Sequence, residues 1–316
     1  MPQLSFVIPA FNEEDSLRQL YQEIIAVAKQ ETYDHEIVFV DDGSTDSTWT
    51  VIESLAHAHD NVRGIRFRTN FGKASALRAG AAAAAGELIV TMDADLQDDP
   101  AELPKMLEKL GDDFDLVSGW KAVRNDPVNK TLPSKVFNWL VGCLTGVKLH
   151  DHNCGFKVYR RAVFDEVKLY GEMHRFVPVL ASAKGFRVTE IPVNHRARQH
   201  GYSKYGLRRL PKGFLDLLTV SFLTGFNQRP QHLLGMFGLA SFSFGALGMI
   251  IMAIYWILRM TMYPDWTPLH QRPIVLYSLG ALILGTQLLS MGFLAELIVN
   301  KDQSREEPYS ISETVE

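Results

Sequence analysis

The sequence predicts an α/β domain on a mostly parallel, Rossmann-like sheet, followed by two membrane-spanning helices. Three observations carry this expectation. Apolar runs rich in β-branched residues alternate with helical patterns through the first half of the chain. Two acidic clusters each close such a run: Asp41-Asp42-Gly43-Ser44 after EIVFV, and Asp93-Ala94-Asp95 after ELIVTM. The stretches from Leu233 to Leu258 and from Ile274 to Val299 hold one charge between them, Glu296.

The elements follow in order. LSFVIPAF reads as a first strand, Glu14 to Ala28 as a helix and HEIVFVDD as a second strand. Ser44, Thr45, Asp46 and Ser47 are plausible N-caps for a helix from Thr48 to about His57. VRGIRFRT, an Ala-rich helix from Lys73 to Gly86 and the strand ELIVTMDAD come next, so the acidic clusters fall at the carboxyl ends of parallel strands, where such sheets bind ligands. Pro100 starts a further helix, with Glu102 in its first turn. FDLVSGW reads as a fifth strand, Pro133 to about Thr145 as a helix, and FRVTEIPVNH as a later strand. Phe214 to Phe226, preceded by Arg208, Arg209 and Lys212, reads as a segment along a membrane interface.

Both apolar stretches are long enough to cross a hydrocarbon core, which needs about 20 helical residues. A pair of buried helices in a soluble bundle is the bland alternative, but such helices rarely run so far without a polar face. Arg208, Arg209, Lys212 and Arg229 precede the first stretch and Lys301 and Arg305 follow the second, whereas only Arg259 and Arg272 lie between. The positive-inside rule then puts both ends on the cytoplasmic side. Trp256, Tyr263, Trp266 and Tyr277 form an aromatic belt around the outer loop. The expected division is a catalytic domain over residues 1–205, juxtamembrane helices over 206–231, two spans over 232–300 and a polar tail over 301–316. Met1-Pro2-Gln3 leads directly into the first strand, so no signal peptide is expected. Two cysteines, Cys143 and Cys154, fit a reducing compartment, and a net charge of −4 argues against nucleic acid as a partner.

Oxygen-bearing side chains alternate at Asp93, Asp95 and Gln97, and in an extended segment they would share one side. Oxygen-only donors suit Mg²⁺ or Mn²⁺ with open positions for substrate phosphates. Other nucleotide sites find no support. There is no G-x-G-x-x-G, and Gly72-Lys73 has Phe67 and Ala74 where a P-loop needs Gly and Ser or Thr. His150 and His152 lack the partner pair of a zinc site.

A lone D-x-D is common by chance, but here Pro9-Ala10-Phe11-Asn12-Glu13-Glu14, Asp41-Asp42-Gly43-Ser44 and Asp93-Ala94-Asp95-Leu96-Gln97 close three of the parallel-type strands. With these blocks the chain resembles the family 2 glycosyltransferases of GT-A fold. More narrowly it is similar to the polyprenyl-phosphate glycosyltransferases, which include dolichol-phosphate mannose synthase and bacterial enzymes that glucosylate undecaprenyl phosphate. The resemblance runs from Leu4 to about Asn300. It is carried further by Asn70-Phe71-Gly72-Lys73, Ser118-Gly119-Trp120-Lys121 with Arg124 and Asp126, Asp151-His152-Asn153-Cys154-Gly155-Phe156-Lys157, and Arg198-Gln199-His200-Gly201-Tyr202-Ser203-Lys204-Tyr205. The Q-x-x-R-W block of processive synthases is absent.

The resemblance implies an inverting, metal-dependent transfer of one sugar from a nucleotide-sugar, UDP-glucose first, to polyprenyl phosphate at the cytoplasmic membrane. GDP-mannose and other UDP-sugars are alternative donors; a nucleotidyltransferase or a non-catalytic membrane assembly protein are readings from other classes. It implies that Pro9, Phe11, Glu13 and Asp42 line the nucleoside pocket, with Asp93 and Lys73 on the donor. Asp93, Asp95 and Gln97 would hold Mg²⁺ or Mn²⁺, and Lys121, Arg124, Arg198 and Ser203 the acceptor phosphate. Asp95, Asp151, Arg198 and Lys204 form the catalytic set, Asp151 as base or as an orienting group. Arg196, Arg208 and Arg209 are read equally well as attraction to a membrane surface. A homotetramer is what the bacterial relatives imply.

Overall fold

The computed structural model describes residues 3–122, 128–167, 169, 171, 173–196, 209–225 and 230–303. They form two compact units, Met1–Thr224 and Gly225–Glu316. The boundary falls one residue before the end of the helix Arg209–Gly225.

The first unit is built on a seven-stranded sheet of order β3-β2-β1-β4-β6-β5-β7. β1 (Leu4–Ala10), β2 (His35–Asp41), β3 (Val62–Arg66) and β4 (Leu88–Thr91) are mutually parallel and joined by α1 (Leu17–Gln30), α2 (Thr48–Ala58) and α3 (Lys73–Ala83). β1 and β2 are buried on both faces, which is why they read as near-continuous apolar runs. α1 buries Leu17, Leu20, Ile24 and Ala28, one stripe at helical spacing. It begins three residues later than its pattern predicts, because the Glu13 N–H is held by Thr48 Oγ1 at 2.8 Å and keeps the preceding turn out of the helix. α3 buries Ala74, Leu77 and Ala81 in a cluster with Val7 of the sheet, and at Gly80 even a Cβ would collide with Val7.

After β4 a short 3-10 turn, Pro100–Glu102, leads into α4 (Leu103–Leu110) and then β5 (Leu116–Trp120) and α5 (Val128–Thr145). β6 (Lys157–Arg160) has no counterpart among the sequence expectations. It runs antiparallel between β4 and β5, with Thr91 and Ser118 both opposite Lys157. Being antiparallel, it delivers the preceding 151–156 loop to the carboxyl ends of its neighbours. α6 (Arg161–Glu166), a 3-10 turn at Met173–Arg175 and α7 (Val177–Ala183) follow, and β7 (Val188–Pro192) closes the edge parallel to β5.

α8 (Arg209–Gly225) was expected to lie along a membrane interface. It is two-sided: Leu217 and Val220 are fully buried among Val141, Met173, Phe176 and Val179, while Leu215 and Leu218 are exposed. On α5, Val136, Trp139 and Leu144 are likewise exposed.

The second unit is a pair of long apolar helices, α9 (Pro230–Thr261) and α10 (Pro273–Gln303). Their most apolar stretches, Leu234–Thr261 and Pro273–Ala295, are long enough to cross a membrane and are only 17% and 11% buried, unlike the core helices of a soluble bundle. Glycines let the two backbones touch. A Cβ at Gly238 would come within 2.9 Å of Leu289 N, and one at Gly245 within 2.5 Å of Leu282 N, as small-residue packing in lipid requires. The connecting loop folds on its own aromatic residues: Trp266 stacks on Tyr255 and Tyr263, Arg272 lies 4.2 Å from the Tyr255 ring centroid, and Arg259 Nε donates to Trp266 O at 2.6 Å.

Candidate active site

The carboxyl ends of β1 and β2 are tied together by short polar side chains. Asn12, at φ +54°, donates its N–H to Ser44 Oγ at 2.9 Å, and its own Oδ1 accepts from the Thr45 N–H at 2.9 Å. Pro9 lies within β1, and Phe11 and Glu13 are half-buried in the loop that follows. The two aspartates after β2 divide the work. Asp41, fully buried, accepts from the Ser44 N–H at 2.9 Å and faces Arg66 at 3.4 Å, so it builds the turn. Asp42 holds the next loop: Oδ1 accepts from the Phe71 N–H at 2.7 Å and Oδ2 from the Gly72 N–H at 3.0 Å. Burial raises the Asp42 carboxyl, and these two donors only partly offset the rise. Gly43, at φ +73°, is required here because a Cβ would sit 2.5 Å from the Thr69 backbone.

The segment after β4 is a turn, where the sequence predicts an extended run. Leu96 adopts φ +60° with its side chain fully buried, and Asp95 Oδ1 accepts from the Gln97 N–H at 3.2 Å. Exposure nevertheless alternates: Asp93, Asp95 and Gln97 are half-buried, whereas Ala94, Leu96 and Asp98 are buried. Lys73, from the start of α3, forms a short ion pair with Asp93. Burial pushes the Asp93 carboxyl up, but the Lys73 ammonium, with Lys121 and His174 behind it, outweighs this and holds it at about 2. Gly155 packs against the same group, since a Cβ there would lie 2.6 Å from the carboxylate.

No group of three His, Cys, Asp or Glu side chains suited to a metal exists among the described residues. The donors present fit a cation of another kind. Asp93, kept ionised, and the half-buried Asp95 and Gln97 offer oxygen only, and Mg²⁺ or Mn²⁺ is commonly held by one or two carboxylates with water and substrate phosphates completing the shell.

The far side of the site buries its charges. Lys121 was expected at an acceptor phosphate; its Nζ faces the buried Asp98 at 3.6 Å. Burial disfavours its charge, but Asp98 above all, with Asp93 and Asp151, raises it past the usual lysine range. Asp151 is 1% exposed and Oδ1 accepts from the Asn153 N–H at 3.0 Å, so its carboxylate shapes the 151–153 turn. Lys157, buried, reaches back to the carbonyls of His152 and Cys154 and pins this loop; burial lowers its ammonium. Burial also holds His152 neutral, at about 4, and pushes the Cys154 thiol up to about 12, so that cysteine is inert. Arg124, Arg198, Ser203 and Lys204 lie outside the described residues. Arg196 is described: it pairs with Glu23 at 2.6 Å and Asp99 at 2.7 Å, and its N–H donates to Gln97 O at 2.9 Å.

Sequence reasoning placed no role on Lys157, His174 or Glu190. Lys157 stood in a quoted block, but its burial depends on β6, whose four residues carry too short a pattern to read.

A mixed sheet with acidic loops at the carboxyl ends of its parallel strands is a fold of GT-A type. Solved structures agree: the fold matches glucosyl-3-phosphoglycerate synthase from Mycobacterium tuberculosis in complex with Mn²⁺, UDP-glucose and phosphoglyceric acid, with a TM-score of 0.55 at 20% identity over 71% of this chain and 79% of that one. Residues 5–168 match Glycosyl transferase family 2, and the chain belongs to this family. Among curated proteins it is 39% identical over 306 residues to dodecaprenyl-phosphate galacturonate synthase of Rhizobium johnstonii, covering 94% of this chain and 87% of the relative. It is 35% identical over 297 residues to undecaprenyl-phosphate 4-deoxy-4-formamido-L-arabinose transferase of Pseudomonas fluorescens, covering 93% and 84%. The protein is a glycosyltransferase.

Proposed function

We propose that the enzyme moves one sugar from a nucleoside-diphosphate-sugar to polyprenyl phosphate at a membrane surface. The observation that carries this is end-to-end similarity to relatives named for dodecaprenyl and undecaprenyl phosphate, in a chain that ends in two helices of membrane-crossing length. The exposed apolar side chains of α5 and α8 support a catalytic unit lying against lipid. The excess of Lys and Arg at both ends of the helix pair supports a cytoplasmic catalytic unit with both termini on that side.

In this reading Pro9, Phe11, Glu13 and Asp42 receive the nucleoside. Asp93, Asp95 and Gln97 hold Mg²⁺ or Mn²⁺, which supplies charge stabilisation for the departing diphosphate. Lys73 keeps Asp93 ionised and contacts the donor. The lipid phosphate, with a second pKa of about 6, arrives as an anion and needs no strong base. Asp151, buried in its turn, therefore orients the loop rather than taking a proton. Arg124, Arg198, Ser203 and Lys204 are assigned to the phosphates. Attack opposite the leaving group inverts the anomeric centre.

The donor sugar follows the relatives. UDP-glucose draws support only from a fold-level likeness at 20% identity, which says nothing of the donor. A uronic acid is the first candidate, because the 39%-identical relative is named for galacturonate. The test is purified protein with undecaprenyl phosphate, Mg²⁺ or Mn²⁺, and labelled UDP-galacturonic acid, UDP-glucose, UDP-4-deoxy-4-formamido-L-arabinose and GDP-mannose. Lipid-linked product from the first donor is expected; no transfer from any would sink the reading. Light scattering on the same sample tests the tetramer.

A further inference from the structure

His150 is anchored on three sides and open on the fourth. Its Nδ1 lies 2.5 Å from Glu190 Oε1, and its backbone N–H donates to both Glu190 oxygens, at 3.0 and 2.8 Å. The ring stacks on Trp120, with centroids 4.1 Å apart and planes inclined by 19°. Asn138 Nδ2 donates to its carbonyl at 2.6 Å. The side chain is still 65% exposed, and Nε2 has no hydrogen-bond partner among the described residues. A solvated surface histidine has no need of such orientation; a binding group does.

Its place in the sheet says what it meets. Ser118 and Glu190 are register partners on β5 and β7, and Trp120 lies two residues past Ser118, so Glu190 and Trp120 share one sheet face. Nucleoside residues stand at the ends of β1 and β2, and the acidic segment at the end of β4. β5 is two strands beyond β4, about 10 Å at the usual strand spacing. A donor laid from β2 toward β4 thus puts its reacting carbon and the incoming acceptor toward β6 and β5. Lys121, the cation expected there, faces Asp98 at 3.6 Å.

We propose that His150 binds the acceptor phosphate through Nε2, oriented by Glu190 and Trp120. This rests on the polyprenyl-phosphate reading above.

The test compares wild type, His150→Ala, His150→Gln and Glu190→Gln in steady-state transfer, with melting temperature as a check on folding. His150→Ala is expected to raise the KM for undecaprenyl phosphate on the order of 10-fold, with donor KM changed less than about 2-fold. His150→Gln should recover part of the loss, and Glu190→Gln should sit between. Direct binding separates phosphate from lipid: farnesyl phosphate should bind His150→Ala about 10-fold more weakly, and farnesol equally well. An unchanged acceptor KM and unchanged farnesyl phosphate binding would overturn the assignment while leaving the parent reading intact. A wild type that moves no sugar to any lipid phosphate overturns both.

Discussion

The two halves of the sheet handle charge in opposite ways. At the β1, β2 and β4 ends, Asp41 and Asp42 are buried as loop anchors beside short neutral side chains such as Asn12, Ser44 and Thr48, but the carboxylates of Asp93 and Asp95 stay half-exposed. At the β6 and β5 ends, charge is buried: Lys157 sits under backbone carbonyls, Lys121 faces Asp98, and Asp151 and His152 are enclosed. The first half keeps two of its carboxylates, Asp93 and Asp95, open to a ligand. The second uses ions as internal fasteners, which burial makes costly to disturb. Substitutions in the first half should therefore cost activity, and those in the second should cost stability or geometry.

The largest expected effect lies in the open half. Asp95→Asn removes a charge from the candidate metal group without changing size, and turnover should fall on the order of 10³-fold with little change in melting temperature. A melting temperature lowered by more than a few degrees would place Asp95 among the fasteners and break the contrast.

Gly155→Ala probes the seam between the halves. The new Cβ would sit 2.6 Å from the Asp93 carboxylate, so either the loop pinned by Lys157 or Asp93 must shift. A displacement near 1 Å at a reacting group costs on the order of 10²-fold in rate. Turnover should drop by about that factor, and donor KM should rise; an unaffected enzyme would show that the loop yields freely.

The closed half should reveal itself through acid. Burial holds His152 at about 4 against an ordinary 6.5, so below pH 6.5 the unfolded chain takes a proton that the folded one refuses. Stability is complete above that pH and falls as pH drops from 6.5 to about 4, by at most about 3 kcal/mol from this ring. His174, also depressed by burial, acts in the same sense. His152→Gln should therefore reduce, without abolishing, the slope of melting temperature against pH in that window. Asp93, depressed to about 2, loses its contribution only below about pH 4 and does not confuse the result.

This asymmetry also explains what the sequence could reveal. The parallel half was legible because buried parallel strands produce long apolar runs, and each ends in a polar block such as Asp41-Asp42-Gly43-Ser44. The paired apolar helices were legible from length and lack of charge. β6 was not, because four residues beginning with a lysine offer no period to detect, and only the fold reveals that this lysine is enclosed. The turn at Leu96 was hidden for a related reason. Alternating side chains suggest an extended strand, but a buried leucine at positive φ keeps the same alternation in a turn.

Arg196 gives the smallest effect and the finest test of where the two halves join. Its guanidinium pairs with Glu23 and Asp99 at 30% exposure, and its backbone N–H holds Gln97. Burial alone would weaken its charge, but these two carboxylates reinforce it. Partly exposed pairs are worth about 1 kcal/mol, so Arg196→Gln should lower the melting temperature by roughly 2–4 °C. Asp99→Asn should do about the same, and the double variant should lose less than the sum, as groups in one network do. Were Arg196 a membrane contact, its loss would instead change how activity depends on the anionic lipid content of vesicles. That dependence should stay as in the wild type, because both faces of the guanidinium are taken up within the catalytic unit.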